Sequence, residues 1–171
     1  MELKSPEREV EYKASVDEKG NVVLKKKSAI KRGSKSKAQG GQFELKVRKN
    51  LEELGWIVDK WSNNVDLDGR VIYPAKTDWK FNPFRKIMMP LGQGTGFPDF
   101  IAFQKMEGER YKIVGVEVKM NGTLSPVEKK KCQWYLENEI FNEIWIARKV
   151  KENNRVRVEY SDVKEILKRM R

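Results

Sequence analysis

The sequence predicts a mixed α/β (α+β) domain over residues 40–171, behind a small N-terminal segment, residues 1–39. A length of 171 residues suits one globular domain with extended ends. Apolar residues recur at helical spacing in some segments and form short strand-like runs in others, and from residue 41 the predicted order is α-β-β-β-α-β-β-α. Because 39% of the residues are hydrophobic, the chain has the material for a buried core.

Residues 1–39 are predicted to contain a β-hairpin and a basic linker. Apolar side chains alternate over residues 10–16, residues 17–21 are typical of a turn, and residues 22–24 are apolar again. Residues 25–37 contain no acid, and serine and glycine are interspersed, as in a flexible linker. The cations of this stretch are Lys25, Lys26, Lys27, Lys31, Arg32, Lys35 and Lys37. They predict either an arm that contacts phosphates or a solvated linker without a partner.

The first helix of the main domain is predicted from four apolar residues. Phe43, Val47, Leu51 and Leu54 recur at helical spacing before Gly55, which is typical of an amphipathic helix that ends at a glycine. A strand is predicted directly afterwards, beginning at residues 56–58.

Residues 62–96 have no clear period, which is typical of a functional loop or an insertion. Aromatic side chains and cations alternate there: Tyr73, Trp79, Phe81 and Phe84 among Arg70, Lys76, Lys80, Arg85 and Lys86. This mixture suits stacking on bases together with contacts to phosphates. The alternative is that the aromatic rings pack a small satellite core under the loop.

The C-terminal part is predicted as a helix, two strands and a last helix. Ser125-Pro126-Val127-Glu128 is a capping-box sequence with proline at the first helical position, and the helix that it begins should reach about Asn138. Residues 144–147 and 156–160 are strand-like, and Asp162 is placed to cap the last helix.

Composition narrows the classes of partner and chemistry. Lys and Arg number 36 against 25 Asp and Glu, and the resulting charge of +11 favours a polyanionic partner over a merely soluble surface. The absence of His excludes His-based triads and His-ligated metalloproteases. A lone Cys132 cannot form an internal disulfide and argues against a zinc site. With no long apolar run and no secretory leader, a cytoplasmic location is expected.

Charged residues stand inside two apolar strand runs, residues 98–103 and 111–119, which together predict a hairpin. Asp99 begins the first run, whereas Glu117 and Lys119 end the second. Side chains alternate across a strand, so Glu117 and Lys119 share a face. Because hairpin strands are antiparallel, the start of one lies beside the end of the other, and we expect Asp99 near Glu117 and Lys119.

Two neighbouring carboxylates repel each other unless a cation lies between them. Oxygen ligands of this kind select Mg²⁺ or Mn²⁺, and the Val118 carbonyl is a natural additional ligand. Such an ion activates water for attack on a phosphodiester, and Lys119 could position or deprotonate that water or stabilise the developing charge. The alternative is that Glu117 and Lys119 form an ordinary surface pair on a one-sided sheet.

The segments Pro98-Asp99 and Glu117-Val118-Lys119 resemble the motif of the PD-(D/E)XK nuclease superfamily. The likeness is greatest to archaeal Holliday junction resolvases and virus-type replication–repair (VRR-NUC) nucleases. It covers residues 41 to about 148 and implies a restriction-endonuclease-like αβββαβ core, with a mixed central sheet flanked by helices. By the same resemblance, Glu44 on the first helix and Gln133 on the later helix become candidate site residues. The alternatives are that Glu44 only favours the helix N-terminus electrostatically and that Gln133 is a solvent-facing helix residue. The insertion at 62–96 departs from a compact resolvase.

The resemblance implies a Mg²⁺-dependent DNA endonuclease of repair or recombination, selective for a junction, a flap or a duplex and possible as a homodimer. Asp99, Glu117 and the Val118 carbonyl would ligate the metal, Glu44 would assist, Lys119 would act on the water, and Gln133 would orient the substrate or Lys119. The nucleic-acid contacts would come from the cations of residues 25–37 and from Arg85, Lys86 and Lys130. Two alternatives are a catalytically silent nucleic-acid-binding module and an RNA-directed nuclease.

Overall fold

The computed structural model describes residues 10–17, 21–75, 79–82, 86–90, 96–108 and 110–168. The chain divides into two compact units, Met1–Gln42 and Phe43–Arg171. In the described ranges, no helix is long and apolar enough to cross a membrane.

The first unit contains the predicted hairpin, which is confirmed. Strands β1 (Tyr12–Val16) and β2 (Val22–Lys26) pair antiparallel. The predicted flexible linker is wrong, because helix α1 (Lys27–Glu53) begins directly after β2. Lysine, arginine, alanine and glutamine favour helices, and a helix that is already nucleated elongates at little cost. Residues 43–53 bury an apolar stripe and supply that nucleus.

The second unit continues from α1 into strand β3 (Ile57–Lys60). Two antiparallel hairpins follow within the predicted insertion. Their strands are β4 (Asn63–Asp66), β5 (Val71–Pro74), β6 (Trp79–Asn82) and β7 (Ile87–Pro90). The insertion is therefore more regular than its sequence suggests. Its strands are hard to predict because they are short and lack the longer apolar alternation that marks the strands of the central sheet.

A five-stranded mixed sheet forms the centre of the second unit, in the order β11-β10-β9-β8-β3. Its remaining strands are β8 (Phe100–Lys105), β9 (Tyr111–Lys119), β10 (Glu143–Glu152) and β11 (Arg155–Asp162). Strands β9 and β10 run parallel and are joined through helix α2 (Pro126–Glu137), whereas the other neighbours are antiparallel. Helix α3 (Val163–Lys168) follows β11, and Asp162 caps it by accepting the Lys164 N–H.

Each face of this sheet carries its own apolar cluster, because successive strand residues point to opposite faces. One cluster joins Phe43, Val47 and Leu51 of α1 to Val114 and Val116 of β9. The other joins the sheet to α2 and α3, and its members are Val65, Phe97, Leu124, Cys132, Tyr135, Phe141, Ile144, Ile146 and Val163. The mixed α/β class predicted from the sequence is confirmed.

Gly115 leaves room for the chain that leads into β8. A methyl group at this position would lie 2.8 Å from Cγ of Pro98 and 3.2 Å from the Phe141 ring. We expect Gly115→Ala to lower the free energy of unfolding by about 1–3 kcal/mol, measured by urea denaturation. Gly33→Ala is the matched control, since a methyl group there meets nothing within 4 Å, and it should cause no loss.

Candidate functional site

Asp99 lies where β8 begins and β9 ends. Phe100 pairs with Val116 across the hairpin. Asp99 precedes Phe100 and Glu117 follows Val116, so these two residues lie opposite each other. The Val118 N–H donates to Oδ2 of Asp99 at 2.8 Å, and the Trp61 N–H donates to the Asp99 carbonyl at 3.2 Å. The first bond fixes the Asp99 carboxylate against the strand that carries the Glu-Val-Lys sequence, and the second fixes the Asp99 backbone.

Glu117 and Lys119 share a face of β9, and their side chains meet. Glu117 is only 4% exposed, and its Oε1 lies 2.8 Å from Nζ of Lys119. In the described part of the chain, Oε2 of Glu117 is buried and has no hydrogen-bond partner. A buried carboxylate oxygen without a partner costs free energy, so its retention favours a functional role.

Lys119 also contacts a second acid, Glu128 of α2, whose Oε1 lies 2.6 Å from Nζ. Oε2 of Glu128 accepts the Ser125 N–H at 2.7 Å, and the Ser125 hydroxyl accepts the Glu128 N–H at 3.3 Å. The capping box predicted from the sequence is therefore confirmed. The same Glu128 side chain also fixes Lys119, which the capping pattern alone did not indicate.

Burial and mutual repulsion shift both strand carboxylates in the same direction. Burial, followed by the charge of Asp99, raises the pKa of Glu117 to about 8, although Lys119 opposes the shift. Burial also raises the pKa of Asp99, against the Val118 N–H, and the charge of Glu44 adds to the increase. The raised pKa values mean that the protein's own cations do not fully compensate these two carboxylates when both are ionised.

The pKa values of Lys119 and Glu128 are shifted in favour of the charged forms, unlike those of the two strand carboxylates. Burial lowers the pKa of Lys119, but the hydrogen bonds to Glu117 and Glu128 outweigh it and leave that pKa above its ordinary value. Burial raises the pKa of Glu128, yet its bond to Lys119 and its bonds to Ser125 hold it below its usual range. Lys119 is thus a permanent cation at neutral pH.

Glu44, which the family resemblance named, lies close enough to Asp99 for its charge to act there. Oε2 of Glu44 lies 3.6 Å from Nζ of Lys60. Lys60 ends β3 and lies in register with Phe100, the residue after Asp99. The sequence did not indicate Lys60, since a lysine at a strand end is ordinary until the pairing of β3 with β8 is known.

Gln133 does not join the carboxylates. Its amide donates to Oε1 of Glu137 at 2.7 Å, and the side chain is exposed. It lines a surface cavity of about 520 Å³ between α2 and α3. The reason is helical phase, because the buried stripe of α2 runs through Cys132 and Tyr135 and the next residue is turned about 100° away.

The predicted nucleic-acid contacts fall on exposed surfaces. Lys25 and Lys26 end β2, and the cations from Lys27 to Lys37 lie on the exposed N-terminal half of α1, where Lys27 pairs with Glu11 at 2.7 Å. Lys86 lies in the turn between β6 and β7, whereas Arg85 lies outside the described residues. Lys130 shares the cavity between α2 and α3 with three further lysines, Lys129, Lys164 and Lys168.

The donor set fits one hard divalent cation. Asp99 and Glu117 offer carboxylate oxygens, including the buried Oε2 without a partner, and Mg²⁺ commonly uses one or two carboxylates and otherwise keeps water. Within the described ranges, no group of three or more Cys, Asp or Glu side chains stands at metal-binding separation. The charge of Glu44 acts on Asp99, and its part as a further metal ligand stays a prediction.

Glu128 should matter more to stability than an ordinary exposed acid on the same helix. We expect Glu128→Ala to lower the free energy of unfolding by about 1–2 kcal/mol, because it removes a capping bond and one partner of Lys119. Glu137→Ala, which loses only the bond from Gln133, is the matched control. Equal urea midpoints for the two variants would contradict this assignment.

Comparison with protein-family models, curated proteins and solved structures found no match for this chain. The resemblance to the nuclease superfamily therefore rests on the sequence segments Pro98-Asp99 and Glu117-Val118-Lys119.

Proposed function

We propose that this protein is a Mg²⁺-dependent DNA endonuclease with a restriction-endonuclease-like core, acting on structured or double-stranded DNA. One observation carries the proposal: Asp99, Glu117 and Lys119 converge at the end of the β8–β9 hairpin, and a buried oxygen of Glu117 has no partner among the described residues. A surface ion pair would not need a second, half-buried carboxylate next to it.

Each residue has a role that follows from its surroundings. Asp99 and Glu117 would hold Mg²⁺, which when bound supplies activation of water and neutralisation of charge on the phosphate. Lys119 stays protonated at neutral pH, so it is suited to donate hydrogen bonds to the nucleophile or the phosphate rather than to accept a proton. Glu128 holds Lys119 from the opposite side and limits the orientations of its ammonium group.

The net charge suits a phosphate backbone. It is +11, and exposed cations occur both in the first unit, from Lys25 to Lys37, and in the cavity between α2 and α3, at Lys130, Lys164 and Lys168. Such contacts position the backbone without reading bases and make binding sensitive to salt. Two copies of the chain, each supplying one site, would cut both strands of a junction together.

The test is a cleavage assay with labelled four-way junction, flap, duplex, single-stranded DNA and RNA, each in Mg²⁺ or EDTA. We expect cutting of at least one DNA substrate in Mg²⁺, none in EDTA, and none by Asp99→Asn protein prepared in parallel. Glu165→Gln, which changes an exposed acid of α3, should cut normally.

Three outcomes would replace the proposal. Salt-sensitive DNA binding without cutting in Mg²⁺ or Mn²⁺ would favour the silent binding module. Cutting of RNA alone would assign the same site to an RNA-directed nuclease. Cutting that persists in Asp99→Asn protein would place the activity outside this site or outside this protein.

A further inference from the structure

The β6–β7 hairpin presents an apolar face to solvent. Trp79 is 59% exposed, Phe81 is 53% exposed and Met88 is 54% exposed. Phe81 pairs with Met88 across the hairpin, and Trp79 lies two residues before Phe81, so these three side chains share one face. These side chains do not form the satellite core that the sequence left open, because buried aromatic rings would not keep half their surface in water.

Trp79 is unusual among the tryptophans of this chain. The other four, Trp56, Trp61, Trp134 and Trp145, are partly buried, and each packs against at least one further aromatic ring. An exposed tryptophan beside an exposed phenylalanine is a costly surface for a protein to keep, and it typically marks a binding site.

The charge around the hairpin identifies the occupant. Between Asp78 and Asp99 the sequence has no acidic residue, whereas it has Lys80, Arg85 and Lys86. Lys86 is exposed in the turn of the hairpin, with a positive φ of 50°. An aromatic face close to this lysine, in a stretch whose sequence holds no acid, suits a ligand that carries both flat rings and anions. Single-stranded nucleic acid has both, since its bases stack and its phosphates attract lysine.

We infer that the Trp79–Phe81 face of the β6–β7 hairpin binds unpaired nucleotides, whose bases stack on these two rings while a phosphate contacts Lys86 at the turn. This inference rests on the proposed function, because it names the part of a structured substrate that the protein recognises: an unpaired segment at a fork, flap or junction. Duplex DNA hides its bases in the stack and cannot use this face in the same way.

The chain that follows the hairpin leads to Asp99 and is anchored firmly. Phe97 donates its N–H to the Asn63 carbonyl at 2.9 Å, and a methyl group at Gly96 would lie only 2.0 Å from the Trp61 carbonyl oxygen. The segment that enters the proposed active site is therefore held by backbone contacts that leave no space for a larger residue.

The test measures binding in EDTA, where cleavage cannot contribute. Fluorescently labelled oligo-dT, oligo-U, a fork and a blunt duplex are titrated with the full chain and with Trp79→Ala/Phe81→Ala. We expect the double variant to lose about 10- to 100-fold in affinity for the fork and for at least one single strand, with duplex affinity within about twofold. A further titration with oligo-dU, which differs from oligo-U only in the sugar, identifies the preferred sugar.

Two further variants separate stacking from other causes. Ile87→Ala changes an exposed residue on the opposite face of the same hairpin and should leave every affinity unchanged. Trp79→Leu keeps apolar bulk without an aromatic face. Its loss of affinity should be at least half of the loss that Trp79→Ala causes. Tryptophan emission of the unmodified protein should be quenched by the single strand, and that change should vanish in Trp79→Phe.

Equal affinity of the double variant and the unmodified protein for the fork would overturn the inference. Full binding by Trp79→Leu would also overturn it, as would concentration-dependent self-association that the double variant abolishes. A different result would contradict the nuclease proposal alone. In that case single strands bind through Trp79, but no substrate is cut in Mg²⁺. A protein that cuts DNA and ignores the double substitution retains the nuclease proposal and loses this one.

Discussion

Replacement of Lys119 by methionine is expected to lower the rate of DNA cleavage by about 10²- to 10⁴-fold, while the affinity for uncut DNA stays within about threefold. Methionine keeps the length and the apolar stem but removes the ammonium group that lies between Glu117 and Glu128. Affinity for DNA depends on many exposed cations, whereas a donor placed at the reacting phosphate acts mainly in the transition state. The effect should therefore appear in kcat.

The same strand supplies a matched control. Lys112 lies at the other end of β9, is ion-paired with Glu143 at 2.7 Å, and is 29% exposed compared with 26% for Lys119. Lys112→Met should lose similar stability but no activity. Comparable losses of cleavage in both variants would mean that a general weakening of β9, not the position of Lys119, limits the reaction.

The convergence of Asp99, Glu117 and Lys119 could be predicted from the sequence because it depends only on local rules. Strand alternation put Glu117 and Lys119 on one face, and hairpin pairing brought Asp99 opposite them. Those rules hold for any regular hairpin, whatever surrounds it. The capping box of α2 was predictable for the same reason, since it is a pattern of four consecutive residues.

The contacts that surround this site could not be predicted, because they join elements distant in sequence. Lys60 approaches Glu44 only through the pairing of β3 with β8, and Glu128 approaches Lys119 only through the packing of α2 on the sheet. Gln133 was named as a site residue by resemblance, yet helical phase directs it to Glu137. A residue's secondary structure can be predicted from its neighbours more easily than the direction in which that element packs.

Helix α1 illustrates a different limit. Its N-terminal half contains cations, serine and glycine, and these predict a flexible linker when they are read alone. The structure extends the helix from the buried residues Phe43, Val47 and Leu51 back to Lys27. Weak local preference is overridden when a neighbouring packed segment has already formed the first turns.

Replacement of Glu117 by glutamine is expected to abolish cleavage and at the same time to stabilise the metal-free protein by about 2–5 kcal/mol above pH 8. Burial and the charge of Asp99 raise the pKa of Glu117 from 4.5 to about 8 in the folded protein. Below pH 4.5 the carboxyl is protonated in both the folded and the unfolded chain, and ionisation costs nothing. As the pH rises from 4.5 to 8, the unfolded chain ionises first, so the folded state loses stability relative to it. Glutamine cannot ionise and escapes this loss.

The measurement is urea denaturation at pH 4, 6, 7 and 9 in EDTA, for the unmodified protein, Glu117→Gln and Glu143→Gln. Glu143 is the control of opposite sign, because Lys112 and the Trp145 N–H outweigh burial and hold its pKa below 4.5. The stability that Glu143 supplies is present above pH 4.5 and is lost as the pH falls through its lowered pKa. Glu143→Gln should therefore be destabilising at pH 7 and 9, whereas Glu117→Gln should be stabilising at both.

Mg²⁺ connects this stability difference to function. A cation that binds the ionised carboxylates of the folded chain stabilises that chain by mass action, so Mg²⁺ should raise the urea midpoint of the unmodified protein at pH 9. It should raise the midpoint of Glu117→Gln much less, because one of the two carboxylate ligands is gone. If Mg²⁺ has the same effect on both proteins, Glu117 is not a metal ligand. If Glu117→Gln is less stable than the unmodified protein at pH 9, the bond from Lys119 outweighs the cost of burial, and Glu117 is better explained as a structural partner of that lysine.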